Sequence, residues 1–478
     1  MSARIAVSLI GQRRYWPMLV AQSLGAFNDN FFRYALVTIV AFQGVTLFGL
    51  NSEILVPIAA SAFTLPIFLF SAFAGRIADK FDRTRIMRFA KFAEIWLMLI
   101  AAAGFILREP LLLIVTLFFM GVQSAFFAPA KNSALPTLLE PHELVPGNAM
   151  ISGLLNISVL IGIGFGTVLI TRESGPEIVG AILVGIAVIG WISMRQLPPA
   201  LPTPESQQIK LGKLYGSWLE YPAAQLGENK TARRLWNLIL RPVFTLLFPL
   251  FVLIVEILLA FWKLICHPTV LRPLLGAAWF WMLAASIVTL IPNFARGVLG
   301  TDETAVLLFS ALFTIGAAIG AILCGALSGK GDALPFSVAG AIGLAVFNID
   351  VALITWNNPP VPADAELIPG MEFVMDPANR RLLIDLVLAA VSAGLFVVPL
   401  QAMAQRRAPA EIRGRLLAAG GLLNAFTATL GQFTLAAIAT VALPMQTAFF
   451  YIAGVSLIVA IVAFIRMMKL RSQTPSPS

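Results

Sequence analysis

Twelve separate stretches of this chain are each long and apolar enough to cross a lipid bilayer, and no other feature narrows so far what it can fold into. They fall at about 15–42, 53–75, 87–107, 110–130, 146–170, 177–195, 271–292, 303–327, 335–356, 382–404, 416–440 and 446–466. Inside hydrocarbon a backbone must satisfy its own hydrogen bonds, so each stretch is expected to be an α-helix. The fold class expected is an all-α polytopic membrane protein. Charged residues make up 12% of the chain and apolar ones 59%, whereas a soluble chain carries about a quarter charged residues. Residues 5–11 are too short an apolar run, and lack the small-residue site, for a cleaved signal peptide.

The charge then has to be read as topology. A net charge of +9 in a soluble protein would suggest nucleic acid; in a membrane protein it reflects the excess of Lys and Arg in cytoplasmic loops, and no nucleic-acid partner is expected. Of the 33 basic residues, Arg108, Arg172, Arg296, Arg380 and Arg381 fall in alternate loops on one side. Arg33 lies inside the first span, and the others border the opposite loops. Both termini are therefore expected in the cytoplasm. The acidic, Pro-rich loop 357–380 suits the outside. With only two cysteines, Cys266 and Cys324, both in apolar stretches, and two histidines, His142 and His267, far apart from each other, neither a disulfide framework nor a zinc site is expected, and no metal or cofactor is expected.

Between the sixth and seventh spans lies a Pro-rich, then basic linker with Pro198, Pro199, Lys210, Lys213, Arg233 and Arg234. The expected division is residues 1–196, a linker 197–270 and residues 271–478. Within the linker, 238–265 is apolar, but Arg241 and Glu256 bracket only a short uncharged run interrupted by Pro242 and Pro249. A thirteenth span would also move Lys330, Arg406, Arg407, Arg413 and Arg415 outside. The segment is expected to be interfacial or re-entrant.

The halves repeat each other. Pro141, Glu143, Gly153 and Asn156 recur at the same spacing as Pro409, Glu411, Gly421 and Asn424, and Gly75, Lys80 and Asp82 recur as Gly325, Lys330 and Asp332. Parallel six-span repeats are the architecture of major facilitator transporters, whose substrate site lies near the midplane between the halves. The loop Gly75-x-x-x-Asp79-Lys80-x-Asp82-Arg83-x-Arg85 resembles the superfamily's cytoplasmic signature between spans 2 and 3, with Asp82 where the pattern has a second Gly. On that reading Gly75 permits close helix contact, and Asp79, with Lys80 and Arg83, gates the cytoplasmic side; the basic residues also serve topology alone.

Span 1 holds the most informative polar set. Gln22, Gly25, Ala26, Asp29 and Arg33 share one helical face. Asp29 lies near the midplane, where a charge is costly unless it has a polar cavity and a partner, and Arg33 one turn away is a candidate partner. Substrate or ion handling and a structural ion pair both remain open. Asn28 and Asn30 point to different sides, so at least one should hydrogen-bond a neighbouring helix. Glu94 has Lys91 within reach, Gln123 is a further polar group, and Asn156 and Asn424 suit interhelical hydrogen bonds or ligand contacts. Lys131 closes span 4 at the headgroup level.

The run Gly25-Ala-Phe27-Asn28-Asp29-Asn30-Phe31-Phe32-Arg33, with Ala128-Pro129-Ala130-Lys131 and Trp279-Phe-Trp281, resembles the lysophospholipid transporter branch of the major facilitator superfamily, over nearly the whole chain except about 238–265. The resemblance implies a non-enzymatic transporter of the bacterial cytoplasmic membrane. It would move lysophospholipid, chiefly lysophosphatidylethanolamine, from outer to inner leaflet for reacylation, with an acyltransferase or acyl-carrier-protein synthetase as partner. Arg33 would then meet the phosphate and Asp29 the ammonium. Coupling to a proton or to Na⁺ stays open. The alternative is a proton-coupled exporter of drugs or siderophores on the same fold.

Overall fold

The computed structural model describes residues 8–201, 241–327, 334–362, 364–409, 412–441 and 443–473. The Pro-rich and basic part of the linker, and the second-half loop with Gly329, Lys330 and Asp332, lie outside them, as do Ala410 and Glu411. The described helices are α1 (Trp16–Phe42), α2 (Ser52–Lys80), α3 (Arg83–Ile106), α4 (Pro110–Leu138), α5 (Pro141–Leu169), α6 (Gly175–Arg195), α7 (Arg241–Ile265), α8 (Pro268–Gly297), α9 (Glu303–Leu327), α10 (Leu334–Thr355), the short α11 (Gly370–Met375), α12 (Arg380–Arg407), α13 (Arg413–Thr440) and α14 (Thr447–Gln473). Among the described residues eleven helices are long and apolar enough to cross a membrane. The 27-residue α1 lies in the same bundle but is diluted by Asn28, Asp29, Asn30 and Arg33.

Several helices start where proline sits in the first turn, at Pro17, Pro110, Pro141 and Pro268, where its missing N–H costs nothing. Others are capped: Asn51 Oδ1 accepts from Ile54 N at 3.2 Å at the start of α2, and Asp82 Oδ1 accepts from Thr84 N at 3.0 Å at the start of α3. Asp82 also accepts from Ala200 N at 3.0 Å. A carboxylate in place of the signature's second glycine thus caps α3 and ties down the chain leaving α6. The motif Pro141-x-Glu143 is likewise a clamp: Glu143 accepts from its own N-cap backbone at 2.9 Å and from Arg14 at 2.7 Å, and Arg14 donates to Leu138 O at 2.9 Å.

The repeat read in the sequence reappears as equivalent packing. In the first six helices α1 packs on α5, α2 on α4 and α3 on α6; in the second set α8 packs on α13, α9 on α12 and α10 on α14. Two pseudo-equivalent seams join the sets, α2 with α13 and α5 with α9, and the first is much the more extensive.

Segment 241–265 forms one unbroken 25-residue helix, about 37 Å long at 1.5 Å per residue, so it is not re-entrant. It lies against α2, α13 and α8 and covers the α2–α13 seam. Its buried Glu256 pairs with Arg76 of α2 at 2.7 Å. Its Phe261 ring sits 6.5 Å from Phe68 of α2 and 6.2 Å from Phe426 of α13, which are themselves 5.1 Å apart. Leu264 is buried among Ala404, Ala408 and Leu416. The opposite face shows Ile254, Leu258, Trp262 and Ile265 outward, which suits contact with acyl chains.

Candidate functional site

The midplane of the first half holds a charged cluster built by three helices. Lys91 Nζ of α3 pairs with Glu94 Oε2 one turn away at 2.6 Å, both side chains 3% exposed. Gln123 of α4 donates to Glu94 Oε2 at 3.2 Å, and Asn28 of α1 donates to Glu94 Oε1 at 3.4 Å and to Leu183 O of α6 at 3.3 Å. The Lys91 ammonium lies 5.3 Å from the Phe127 ring centre. It fits against α1 because residue 25 is glycine: a Cβ there would stand 2.5 Å from Lys91 Nζ. Asp29 faces this pair, within electrostatic reach of Glu94, Lys91 and Arg33 and beside Ser124. Two carboxylates thus face one ammonium and, further off, one guanidinium, a charge-balanced set in a low-dielectric place.

Arg33 points elsewhere. It donates to Asn30 Oδ1 at 2.6 Å, and its guanidinium stands 5.6 Å from the Tyr34 ring centre and 5.9 Å from that of Phe63. The Asp29–Arg33 ion pair that helical spacing suggests is therefore not formed, because Asn30 and the rings hold the guanidinium one turn away. Asn30 in turn donates to Ala26 O at 2.8 Å. The Gln22 carbonyl oxygen is buried without a partner. Lys131 is half-buried within α4, which runs on to Leu138.

The repeat-related asparagines differ. Asn424, with its amide turned to satisfy both contacts, accepts from Trp281 Nε1 of α8 at 3.2 Å and donates to Gly420 O at 3.2 Å. Asn156 is exposed and makes no interhelical bond among the described residues. The gating loop shows a parallel split. Arg83 is buried and donates to Ala78 O at 3.3 Å and Thr137 Oγ1 at 3.0 Å, joining the ends of α2 and α4. Lys80 lies 5.5 Å from the Phe81 ring centre. A Cβ on Gly75 would meet nothing within 4 Å, so the close helix contact expected there is absent in this conformation.

Gly75, Gly153 and Gly421 all lie in the parts of α2, α5 and α13 nearest the basic loops, and none has a neighbour within 4 Å of a built Cβ. At the other end the halves meet: Asn293 of α8 donates to Ser52 O of α2 at 3.0 Å, and a Cβ on Gly164 of α5 would stand 2.9 Å from Leu307 of α9. Tyr34 of α1 is buried within the second half's apolar cluster. The halves are therefore in direct contact at the end opposite the basic loops.

The second half has no midplane counterpart of the charged cluster. Its ion pair Asp350–Arg381, 2.7 Å apart, and the neighbouring Asp385 lie near the end opposite the basic loops. Toward that same end lies a small apolar cavity of about 30 Å³ lined by Ile287, Leu290, Phe294, Phe313, Leu386, Phe449 and others, with Asn348 as a polar member bonded back to Leu344 O at 2.7 Å. Sequence reasoning missed this cavity and the roles of Lys91 and Ser124 beside Asp29. It also missed Arg76–Glu256, which a buried-charge search within 238–265 would have suggested.

Comparison with known proteins agrees with this architecture. The model of the Major Facilitator Superfamily matches residues 18–375. The lysophospholipid transporter LplT of Escherichia coli O1:K1 / APEC is 31% identical over 186 residues, 39% of this chain and 44% of that protein; LplT of Serratia proteamaculans (strain 568) is 27% identical over the same extent. The match thus spans less than half the length of these relatives. Among solved structures, a mutant of the peptide transporter POT in complex with alafosfalin superposes with a TM-score of 0.63 at 15% identity over 98% of both chains. The xylose transporter XylE of E. coli in its inward open conformation gives 0.57 at 11%, over 94% of this chain and 95% of that one. These distant structures speak to fold, and with the family match over most of the sequence they lead to one assignment: the chain belongs to the Major Facilitator Superfamily.

Proposed function

We propose that the protein moves lysophospholipid, with lysophosphatidylethanolamine as its main substrate, from the outer to the inner leaflet of a bacterial cytoplasmic membrane by alternating access. The observation that carries this reading is the division of labour between the halves: a charge-balanced cluster in one and an apolar cavity in the other. A zwitterionic headgroup needs both a cation and an anion, and Lys91, Arg33, Asp29 and Glu94 supply them. A single acyl chain needs only an apolar lining, and burying each methylene contributes about 0.8 kcal/mol. The relatives named lysophospholipid transporter support the same substrate class.

On this reading the face that carries the excess of basic residues, with both termini, is cytoplasmic. An acyltransferase or acyl-carrier-protein synthetase acting on the delivered lipid would keep the inner-leaflet concentration low and draw transport downhill. The test is a leaflet-resolved assay in proteoliposomes with labelled lysophosphatidylethanolamine, where transfer from the leaflet exposed at the non-basic face is expected without an imposed gradient.

The facing carboxylates Asp29 and Glu94 favour a second reading, a proton-coupled exporter, in which one proton would exchange between them. Export of a dye that collapses with the proton gradient, with no lipid movement, would establish that reading instead.

A further inference from the structure

At the closed end a second, small cavity of about 20 Å³, room for one group the size of an ammonium, lies between the halves, away from the midplane cluster. The first half contributes Glu53 and Pro57 of α2; the second contributes Thr289 and Asn293 of α8, Leu435 and Ile438 of α13, and the approach to α14. Glu53 is the one ionisable group in this lining, half-buried and with no ion pair or hydrogen bond among the described residues. Thr289 is 8% exposed, and its hydroxyl also finds no partner among them. Asn293 is 6% exposed and spends its amide N–H on Ser52 O, leaving its carbonyl oxygen free to accept. Each polar group on offer can therefore accept a hydrogen bond, one of them as an anion, and they are set in an aliphatic wall.

We propose that this cavity docks the ammonium group of an amphiphile at the closed face. An anion is repelled by Glu53, and a small polar solute gains nothing from Leu435 and Ile438. An alkylammonium supplies N–H donors for three oxygens, a charge for the carboxylate and a chain for the wall. An occupant would touch α2 and α8 beside the Asn293–Ser52 bond that joins the halves, so its arrival is coupled to the contact that opening must break. Its identification as the first contact for lysophosphatidylethanolamine rests on the transport reading above; the site itself does not.

The experiment is protection from a hydrophobic carbodiimide, followed at the peptide carrying Glu53 by mass spectrometry on the full chain in nanodiscs of phosphatidylglycerol. Decylammonium is expected to slow labelling of Glu53 at least tenfold, decyl sulfate not at all, and Thr289→Val should weaken the protection. Equal labelling with and without decylammonium overturns the site, and equal protection by butylammonium overturns its preference for an amphiphile. In proteoliposomes Glu53→Gln is expected to raise KM for lysophosphatidylethanolamine about tenfold with kcat unchanged, and to leave lysophosphatidylglycerol, which lacks the amine, unaffected. Wild-type protein that moves neither lipid yet shows protection would remove the transport reading and keep the site.

Discussion

The first and second sets of six helices share one packing pattern, yet they bury opposite things. The first buries Lys91 against Glu94 beneath Asp29; the second keeps an apolar cavity ringed by Phe294, Phe313 and Phe449. A duplicated bundle needs only its helix-contact positions to preserve the fold, so inward-facing positions are free to diverge. Here they have diverged toward opposite solvation.

The comparison breaks most sharply at Lys91. Lys91→Ala leaves Glu94 buried beside neutral amides and should destabilise the protein by about 3–5 kcal/mol, read by denaturant unfolding of the purified protein, and should abolish transport. Replacing Lys91 and Glu94 together by Met should restore most of the stability and none of the transport. A double variant that transports would show the pair to be packing alone. Asp29→Asn removes a charge that has no ion-pair partner within contact distance. We expect about a hundredfold loss of lysophosphatidylethanolamine transfer, the scale of one charged hydrogen bond, with an unchanged unfolding midpoint. A loss of stability instead would make Asp29 structural.

The second half is tested by volume. Ala389 is buried on the wall of the apolar cavity, and Ala389→Phe should shift preference about tenfold toward shorter acyl chains, since a few lost methylene contacts suffice at about 0.8 kcal/mol each. An unaltered chain-length profile would place the acyl chain elsewhere. The smallest effect is expected from Arg76→Ala, which removes the Arg76–Glu256 ion pair. Because Arg76 is 29% exposed, the cost should be about 1–2 kcal/mol, seen as faster proteolysis within α7 and a severalfold slower transport. Equal proteolysis of variant and wild type would make the ion pair incidental.

Much of this was legible in the sequence, for physical reasons that particular residues make plain. The apolar spans were visible because hydrocarbon admits little else, and α9 runs from 303 to 327 as expected. Helix ends were less visible: α2 continues to Lys80 and α4 to Leu138, since a helix extends through the interface where polar residues are tolerated. Asp29, Glu94 and Gln123 stood out as polar groups in apolar runs. The Lys91–Glu94 pair followed from their spacing, but the surroundings of Asp29 and Arg33 did not, because spacing places them on one face without saying that Asn30 and Phe63 hold the guanidinium. The cavity of the second half was invisible, since its lining residues are ordinary apolar ones and a void is a property of packing.

The helix between the halves has a mechanical consequence. Through Arg76 and Phe68 it grips one half, and through Phe426 and Leu416 the other, all along a single edge of the bundle. Any rocking that keeps these contacts must turn about that edge as a book turns on its spine, and the opposite edge, between α5 and α9, must do the opening. The pseudo-twofold equivalence of the two edges would then end at their motion: one is a hinge, and the other is the side on which a molecule dissolved in the bilayer finds a way in.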